Sequence, residues 1–336
     1  MLDLHRLRLL MEFASRGSIA ATAAALGYTP SAVSQQLAAL EREAGAALLD
    51  RTARSAELTD SGRRLAEHAE QILGMVEAAE ADLSGRTQAP SGRVVVAAFP
   101  TAAVAFAPAL ARSLRAHPAL TLLLRQSARD EGLRQVRSAE VDVALVDDWS
   151  GRLPDPHPGL LRQYHLLRDR LVLVVPRGHW MADPAEPVDL RRLREEPWMA
   201  APAGEPSRQA VDGLLAGVGG APPVPWEFEG LATILGLVAR GIGIAAIPAL
   251  TLAAAGADAP GRPGPEGAAQ RGSDPGANDR MSGHGPVVVR ELPSALARNV
   301  YAVARAASVR RPSVAVVLTA LVAAAASLAA QAEVRA

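Results

Sequence analysis

Apolar and polar positions between residues 18 and 49 alternate at helical spacing, and residues that start and end helices interrupt them. Ser18 and Thr29 each precede a helix-forming run, and each hydroxyl can accept a hydrogen bond from an N–H of the first turn. Gly27 lies between the runs and tolerates the left-handed conformation that ends a helix. The inward face of the second run consists of Val33, Leu37 and Leu40. This pattern predicts two short helices joined by a tight turn.

The second helix of this pair carries polar residues on its outer face, near its N-terminus. Pro30 occupies the first helical position, where an N–H would have no helical partner. The polar positions that follow are Ser31, Ser34, Gln35 and Gln36. Short polar side chains at these positions are typical of a helix-turn-helix whose second helix reads the major groove of DNA. An ordinary pair of capped helices is the alternative, but the order of cap, glycine turn, Thr-Pro start and polar face favours DNA binding.

Segments on both sides of this pair complete a small domain. Asp3 can cap a first helix that Gly17 ends. The inward face of that helix is predicted to consist of Leu4, Leu7, Leu10, Met11 and Ala14. After Gly45, a short excursion with Arg51 and Arg54 at its tip is similar to the wing of a winged helix, which can insert an arginine into the minor groove. A solvated loop is the alternative, because nearby carboxylates offset the two arginines.

A long helix is predicted to start at Thr59 or Ser61 and to run to about Ser84. Apolar residues recur along it at alternating spacings of four and three, as in the a and d positions of a coiled coil. These residues are Leu65, Ala69, Ile72, Val76, Ala79 and Leu83. Such a seam predicts that two chains pair, so that two recognition helices read two half-sites. A lone amphipathic helix that buries the same stripe on its own domain is the alternative.

Beyond a hinge-like segment at residues 87–92, the pattern changes to strands that alternate with helices. Continuous apolar runs predict strands at 93–99, 120–126 and 141–146. Runs of this kind, separated by helices, indicate a parallel sheet covered on both faces. This part of the chain is therefore predicted to form an α/β lobe.

The same alternation repeats from residue 171 onward. Strands are predicted at 171–176, 198–201 and 242–248, and helices at 189–194, 207–216 and 232–241. Two such lobes, joined by crossovers of which one lies near 163–168, leave a cleft in which ligands bind outside the carboxyl ends of strands. Residues 254–286 are rich in glycine and proline and are predicted to form a flexible insertion. The strands within 287–305 are then predicted to rejoin the first lobe.

Composition restricts the chemistry that the chain can perform. Cysteine and lysine are absent from the 336 residues, so disulfides and thiolate metal sites are excluded, and the formal net charge is zero. The seven histidines form no metal-binding motif, and His157 and His179 are predicted to lie at the surface. Asp147 and Asp148 diverge on an extended chain, so a solvated strand end is favoured over a catalytic carboxylate pair. These features favour a protein without enzymatic activity, metal or cofactor.

Charged residues of the first helix interrupt any apolar run, so no secretory signal is predicted and a cytoplasmic location is expected. Residues 313–330 are apolar and of borderline length for a membrane span, but alanine dominates them and is only weakly hydrophobic. A terminal helix packed on the domain is therefore expected, and a membrane span is the minor alternative.

The chain outside the insertion resembles the LysR-type family of transcriptional regulators. The N-terminal match is LHRLRLLMEFASRGSIAATAAALGYTPSAVSQQLAALEREAG followed by LLDRTARSAELTDSGRRL, and the C-terminal match includes RDRLVLVVPRGHWMA and ILGLVARGIGIAAIP. The fold class implied is α + α/β, with a winged helix-turn-helix at 1–60, a dimerising linker helix at 61–86, a hinge at 87–92 and a two-lobed periplasmic-binding-protein-like effector domain at 93–333. Lobe I covers about 93–164 and 287–333, and lobe II about 168–252. The family often assembles as tetramers.

The resemblance implies site residues position by position. The implied DNA contacts are Thr29, Pro30, Ser31, Ser34, Gln35 and Gln36 on the recognition helix, and Arg51 and Arg54 in the wing. Gln36 is a candidate for base-edge contact, because a carboxamide can pair with adenine in bidentate fashion. The implied effector contacts are Pro100, Thr101, Ala102, Asp147, Pro202, Ser207 and Glu229. Thr101 suits an anionic effector at a helix start, or it merely caps its helix.

Two positions depart from the family pattern, since Gln35 stands where arginine or histidine is common and Leu49 where phenylalanine is common. The prediction is a homodimeric or homotetrameric regulator that binds double-stranded promoter DNA and a small-molecule effector, with RNA polymerase as a further partner. Two alternatives stay open: a small-molecule sensor whose N-terminal domain mainly dimerises, and a protein that binds DNA without sequence preference. Sequence-specific, salt-dependent DNA binding would distinguish them.

Overall fold

The computed structural model describes residues 1–51, 56–85, 89–151, 153, 160–220, 224–254, 287–294 and 296–335. The chain forms two compact units. Unit 1 comprises Met1–Asp147, Leu153–Leu166 and Tyr301–Ala324, and unit 2 comprises Asp148–Arg152, Leu167–Val300 and Ala325–Ala336. Arg54, His157 and the predicted insertion from residue 255 onward lie outside the described residues.

Three helices open unit 1, and the predicted cap residues begin them. They are α1 (Leu4–Arg16), α2 (Ile19–Leu26) and α3 (Pro30–Ala44). Each cap side chain accepts a hydrogen bond from a backbone N–H three residues later, at 3.0 Å for Asp3, 3.1 Å for Ser18 and 3.2 Å for Thr29. Gly27 ends α2 with a φ of 70°, the left-handed conformation that the turn requires. The helix-turn-helix predicted from local signals is therefore confirmed.

The core of these helices is wider than the single predicted stripe. Leu7, Leu10 and Met11 are buried as expected, but Leu4 and Ala14 are exposed, and Leu9 and Phe13 are buried instead. The prediction for Leu4 and Ala14 was wrong because α1 contacts α2, α3 and a further long helix, so it buries more than one face. The second helix of the pair buries Val33, Leu37 and Leu40, as predicted.

A short hairpin and a long helix follow. Strand β1 (Leu49–Arg51) pairs antiparallel with β2 (Ala56–Leu58), and the long helix α4 spans Asp60–Gly85. Leu49 is buried, so leucine fits this core position. A Cβ atom at Gly62 would lie 2.1 Å from the carbonyl oxygen of Leu48, which explains the glycine where α4 meets the hairpin.

The apolar stripe of α4 lies partly against its own domain. Ala69 is buried, and Leu65 and Ile72 are half-buried against the core of α1–α3. Val76 is half-buried and Ala79 is exposed, whereas the side chain of Leu83 lies outside the described residues. The first half of the stripe thus has an intramolecular partner, and pairing of two chains stays a prediction for the second half.

The rest of unit 1 is an α/β lobe. Its elements are β3 (Gly92–Ala98), α5 (Pro100–Ala116), β4 (Leu120–Gln126), α6 (Arg129–Arg137) and β5 (Val143–Asp148). Strand β3 pairs in parallel with β4 and β5, which confirms the predicted parallel sheet, and β11 (Ala297–Arg305) follows β5 in the strand order. The buried residues between these strands and α6 include Val95, Ala97, Val136, Val146 and Val303.

Unit 2 is built on one long strand. Its strands are the second part of β6 (Leu161–Pro176), β7 (Met199–Ala200), β8 (Trp226–Glu227), β9 (Ala245–Pro248) and β10 (Val287–Glu291). Its helices are α7 (Leu190–Leu193), α8 (Pro206–Ala216), α9 (Leu231–Val238) and α10 (Leu250–Ala254). The core contains Leu173, Val175, Trp198, Leu215 and Ile244.

The predicted crossover near 163–168 agrees with the structure, since strand β6 passes from unit 1 to unit 2 between Leu166 and Leu167. Two other predictions about this second half were wrong. Strand β9 pairs antiparallel with β6, so unit 2 does not repeat the parallel sheet of unit 1. Strand β10, predicted to rejoin the first lobe, pairs antiparallel with residues 172–176 of β6 inside unit 2. An apolar strand fits any buried sheet position, so its composition does not specify its neighbour.

The terminal helix α11 spans Pro312–Arg335. Its part from Pro312 to Gln331 is long and apolar enough to cross a membrane by length and composition alone. Val314, Val317, Leu318 and Leu321 of this helix are buried within unit 1. Burial of this face agrees with the predicted packed terminal helix.

Candidate nucleic-acid interface

The outer face of α3 presents polar side chains to solvent. Ser31 and Gln35 are exposed, whereas Ser34 and Gln36 are half-buried. The Thr29 hydroxyl caps the helix through the N–H of Ala32. In the described part of the chain, Gln35 has no hydrogen-bond partner, so its carboxamide is available for an external contact.

Gln36 is held by the first helix. Its Oε1 accepts a hydrogen bond from Arg6 Nε at 3.0 Å, and the other end of the Arg6 guanidinium pairs with Glu43. A base contact by Gln36 would therefore compete with the contact to Arg6, whereas Gln35 and Ser31 need no such exchange.

The wing is tied to α3 by charged and polar groups. Arg51 Nη1 donates to Ser34 Oγ at 2.8 Å, and Arg51 Nη2 lies 3.4 Å from Glu41 Oε2. Glu41 Oε1 in turn accepts hydrogen bonds from the N–H groups of Leu48 and Leu49, both at 3.0 Å. Arg51 and Ser34 are thus brought together beside the recognition helix, and Arg54 lies outside the described residues.

Three residues of this region were missed by sequence reasoning: Arg6, Glu41 and Glu43. Arg6 lies 30 positions from Gln36 and 37 from Glu43 along the chain. Contacts at such separations leave no periodic signal in the sequence, so a charged residue on a helix surface gives no indication that it positions another side chain.

The predicted effector residues of unit 1 lie at two strand ends. Phe99 precedes α5 and has no polar group with which to cap it, and Pro100 occupies the first helical position. Thr101 and Ala102 are buried in the first turn. Thr101 therefore does not occupy the cap position of this helix. Asp147 is half-buried near the end of β5, next to Asp148.

The prediction that Asp147 and Asp148 form a solvated strand end was wrong for Asp148, which is buried. Its side chain is 1 % exposed, and its Oδ1 accepts a hydrogen bond from Ser150 Oγ at 2.7 Å. The alternation of the strand turns Asp148 to the opposite side from Asp147, which is why only one of the two carboxylates is buried.

The predicted effector residues of unit 2 follow the paired strands β7 and β8 along the chain. Pro202 follows β7 and accepts a hydrogen bond at its carbonyl from the N–H of Glu205 at 3.2 Å. Ser207 is half-buried in the first turn of α8, and Glu229 is exposed after β8. Because β7 and β8 run in parallel, these residues lie at their carboxyl ends, where ligands bind in α/β sheets.

Arg208 is a further polar residue at this edge that sequence reasoning missed. Its Nη1 lies 2.7 Å from Glu227 Oε1 and 3.2 Å from the carbonyl oxygen of Ala201, and its Nε lies 2.9 Å from Asp212 Oδ1. Burial lowers the pKa of Arg208, but the hydrogen bonds to Glu227 and Asp212 outweigh burial and raise it. The guanidinium thus fastens α8 to β7 and β8.

Within the described residues, no group of three or more His, Asp or Glu side chains is arranged to hold a metal ion. His179 was predicted at the surface, but its side chain is largely buried. Its Nδ1 accepts a hydrogen bond from the N–H of Met181 at 3.1 Å, and its Nε2 lies 3.3 Å from Glu196 Oε1. The histidine therefore caps a short helical turn, a role that its position before Trp180-Met181 does not reveal in the sequence.

Comparison with known proteins bears on both parts of the chain. Residues 4–63 match the family model described as bacterial regulatory helix-turn-helix protein, lysR family, and residues 87–262 match the LysR substrate binding domain. The chain is 31% identical to the HTH-type transcriptional regulator CbbR of Xanthobacter flavus over 258 residues, covering 76% of this chain and 75% of that protein. It is 30% identical to the HTH-type transcriptional regulator YfeR of Shigella flexneri over 251 residues, covering 74% and 79%. A full-length OxyR variant from Pseudomonas aeruginosa has a similar fold, with a TM-score of 0.64 at 17% identity over 96% of this chain and 95% of that one.

Proposed function

Because this chain belongs to the LysR family of helix-turn-helix regulators, we propose that it binds specific promoter DNA and regulates transcription in response to a small-molecule effector. The observation that supports this function most directly is the capped helix α3 with Ser31 and Gln35 exposed on its outer face. A helix of this kind supplies hydrogen-bonding groups to base edges in the major groove.

The proposed DNA contacts divide by role. Ser31, Gln35 and, after release from Arg6, Gln36 contact base edges. The DNA phosphate backbone is contacted by residues in the N-terminal part of the recognition helix, namely Thr29, Pro30 and Ser34. Arg51 and Arg54 supply the positive charge of the wing. Backbone contacts position the protein, whereas base contacts specify the sequence.

The proposed domain boundaries are those predicted from the sequence, except for residues 287–300. The DNA-binding domain covers 1–60, the linker helix 61–86 and the hinge 87–92, and the remainder to 333 is the effector-binding domain. Residues 287–300 are assigned to the second lobe, because β10 pairs with β6 there. Two chains pair through the exposed part of the apolar stripe of α4. The resulting homodimer, or a homotetramer, binds two half-sites on the DNA.

The effector is a small molecule. The contacts proposed for it in unit 1 are Pro100, Thr101, Ala102 and Asp147, and those proposed in unit 2 are Pro202, Ser207 and Glu229. Thr101 has the most suitable chemistry, because a hydroxyl in the first turn of a helix favours an anionic group. The protein acts in the cytoplasm without a cofactor and without enzymatic activity, and RNA polymerase is its further partner at the promoter.

Fluorescence anisotropy on the DNA upstream of its own gene, compared with scrambled DNA of equal length, tests this function. We expect tight binding to the native fragment only, with an affinity that falls as salt rises. Replacing Gln35 by alanine should weaken specific binding by about 1–3 kcal/mol and leave binding to scrambled DNA unchanged. Gln126, an exposed glutamine at the end of β4, provides the matched control through Gln126→Ala.

Equal and weak binding to both DNA fragments would contradict the proposal and favour a sensor whose N-terminal domain mainly dimerises. Equal losses in Gln35→Ala and Gln126→Ala would remove Gln35 from the base-reading set while leaving DNA binding itself intact.

A further inference from the structure

A cavity of about 640 Å³ lies within unit 1, away from the outer face of α3. Helices α1 and α4 of the DNA-binding part form one side of it. The end of α6 with the turn after it, the end of β11 and the start of α11 form the other. Its volume falls within the range of small-molecule sites. The polar and charged residues that line it include His5, Arg8, Glu70, Arg137, Asp142, Arg305, Arg311 and Ser313.

Positive charge dominates these walls, since four arginines face two carboxylates. One carboxylate is already engaged, because Asp142 Oδ1 lies 2.7 Å from Arg311 Nη1 and Asp142 Oδ2 accepts the N–H of Val95 at 2.8 Å. Arg305 is buried and donates to the carbonyl oxygen of Val141 at 3.1 Å. Hydrogen bonds to neighbouring groups therefore hold Asp142, Arg305 and Arg311 in place.

Two further arginines complete the walls from opposite sides. Arg8 is exposed on α1, and Arg137 is half-buried in the last turn of α6. Neither guanidinium has a hydrogen-bond or ion-pair partner among the residues that the structure describes. The planar guanidinium group donates in bidentate fashion to phosphate, so two such groups on one cavity favour a phosphate-bearing ligand.

Ser313 supplies an independent observation on the same cavity. Its residue is 4 % exposed, and its hydroxyl has no hydrogen-bond partner within the described part of the chain. Ser313 lies in the first turn of α11, whose N-terminal end carries the positive pole of the helix dipole. The hydroxyl of a buried serine that lines the cavity at a positive helix end suits an anion.

We propose that this cavity binds a small phosphate-bearing molecule. Arg8 and Arg137 hold the phosphate from two sides, and Ser313 donates its hydroxyl to a phosphate oxygen. Leu4, Met11 and Leu73 provide an apolar wall for the remainder of the molecule. The effector residues predicted from the sequence, from Pro100 to Glu229, do not line this cavity, so it is a separate site.

The site has a regulatory consequence that rests on the proposed function. Arg8 belongs to the first helix of the DNA-binding part, whereas Arg137 and Ser313 belong to the α/β lobe. A ligand that contacts both would bind one arrangement of these parts better than any other, and would thereby change DNA affinity.

Isothermal titration calorimetry of the full chain with inorganic pyrophosphate, at constant ionic strength, tests the site without DNA. We expect one site per chain. Arg137→Gln should raise the Kd at least about tenfold and Ser313→Ala about threefold or more. The matched control is Arg112→Gln, since Arg112 is an exposed arginine on α5 that does not line the cavity, and its Kd should stay unchanged.

The proposal is overturned if wild-type protein binds no pyrophosphate, if Arg112→Gln weakens binding as much as Arg137→Gln, or if citrate binds and pyrophosphate does not. Circular dichroism verifies that each variant is folded, and Ser313→Ala decides the outcome if Arg137→Gln is not. The regulatory consequence is read separately, as a change in anisotropy-measured DNA affinity on adding pyrophosphate. If the wild-type protein binds pyrophosphate but does not bind DNA specifically, the proposed function is contradicted, whereas the proposed phosphate site is supported.

Discussion

Two arginine–carboxylate clusters, one in each unit, differ in burial and therefore in what they hold together. In unit 2, Asp169 and Arg298 are 2% and 4% exposed. Arg298 Nε and Nη2 lie 2.9 and 2.8 Å from Asp169 Oδ2, and Asp169 Oδ1 accepts the N–H of Leu250 at 2.8 Å. This pair fixes β6, β11 and the start of α10 to one another.

In unit 1, a chain of charges runs from α1 to the turn after α6. Arg16 Nε lies 2.9 Å from Glu12 Oε2, and the other end of Arg16 pairs with Glu140, which lies 2.8 Å from Arg134 Nη1. Arg16 and Glu140 are 18% and 30% exposed. The preceding residue, Ala139, has a φ of 62°, an uncommon left-handed conformation for a residue with a Cβ.

Burial determines which of the two ion pairs can break while the protein stays folded. A buried pair leaves an uncompensated charge when one partner is removed, whereas a partly exposed pair contributes at most about 1 kcal/mol because water and salt screen it. The Asp169–Arg298 pair therefore maintains the fold of unit 2. The Arg16–Glu140 contact joins the DNA-binding helices to the α/β lobe weakly enough to be broken without unfolding either.

The largest effect is expected from Arg298→Ala, which leaves Asp169 buried without its cation. The free energy of unfolding of unit 2 should fall by about 3–5 kcal/mol. Urea unfolding followed by tryptophan fluorescence measures it, because Trp149, Trp180, Trp198 and Trp226 all belong to unit 2.

Two variants control this experiment. Arg177→Ala removes an exposed arginine of the same unit and should change stability by less than about 0.5 kcal/mol. The double variant Asp169→Leu, Arg298→Met removes both charges and should recover part of the loss. A loss in Arg298→Ala no larger than that in Arg177→Ala would mean that Asp169 is stabilised without Arg298, and the contrast between the two clusters would fail.

The contrast also explains how far the sequence predicts the molecule. The helix-turn-helix is specified by residues within a few positions of one another, such as Ser18 and Thr29 at the starts and Gly27 at the turn. Their hydrogen bonds span three residues, so the sequence alone locates them. The polar face of α3 follows from the same local periodicity, and with it most of the candidate DNA contacts.

Pairings between distant segments were not predicted. Strand β10 is a short apolar run whose partner, residues 172–176, lies more than a hundred positions earlier, and nothing in its composition distinguishes one buried sheet from another. The links from Arg6 to Gln36 and from Arg16 to Glu140 have the same origin, since they join residues 30 and 124 positions apart. Charged residues that position other side chains are therefore recognised only in the folded chain.

A smaller effect is expected from Arg16→Ala in unit 1. Glu12 is 1 % exposed and would lose its charged partner, which should lower stability by about 1–3 kcal/mol. Thermal unfolding followed by circular dichroism measures this change, and the tryptophan signal of unit 2 is the internal control. Glu140→Gln should lower stability by less than about 1 kcal/mol, because Glu140 is partly solvated. A larger loss in Glu140→Gln than in Arg16→Ala would show that the link to the lobe, and not the pairing of Glu12, carries the stability.

The smallest expected effect is a change in how the free energy of unfolding depends on pH in Glu12→Gln. This effect distinguishes Glu12 from Glu140. Burial raises the pKa of Glu12, and the hydrogen bond from Arg16 only partly offsets it. The folded state therefore holds the Glu12 proton more tightly than the unfolded state, and this stabilisation is present at low pH and is lost as pH rises through the folded pKa. For Glu140, burial also raises the pKa, but Arg134 and Arg16 outweigh it and the pKa is lowered. Its stabilisation is present above the unfolded pKa and is lost as pH falls.

The stability of wild type minus that of Glu12→Gln should thus decrease with rising pH across the acidic range, whereas the same difference for Glu140→Gln should increase. Two differences that change in the same direction would mean that Arg16 neutralises both carboxylates alike, and that the burial of Glu12 has no electrostatic consequence.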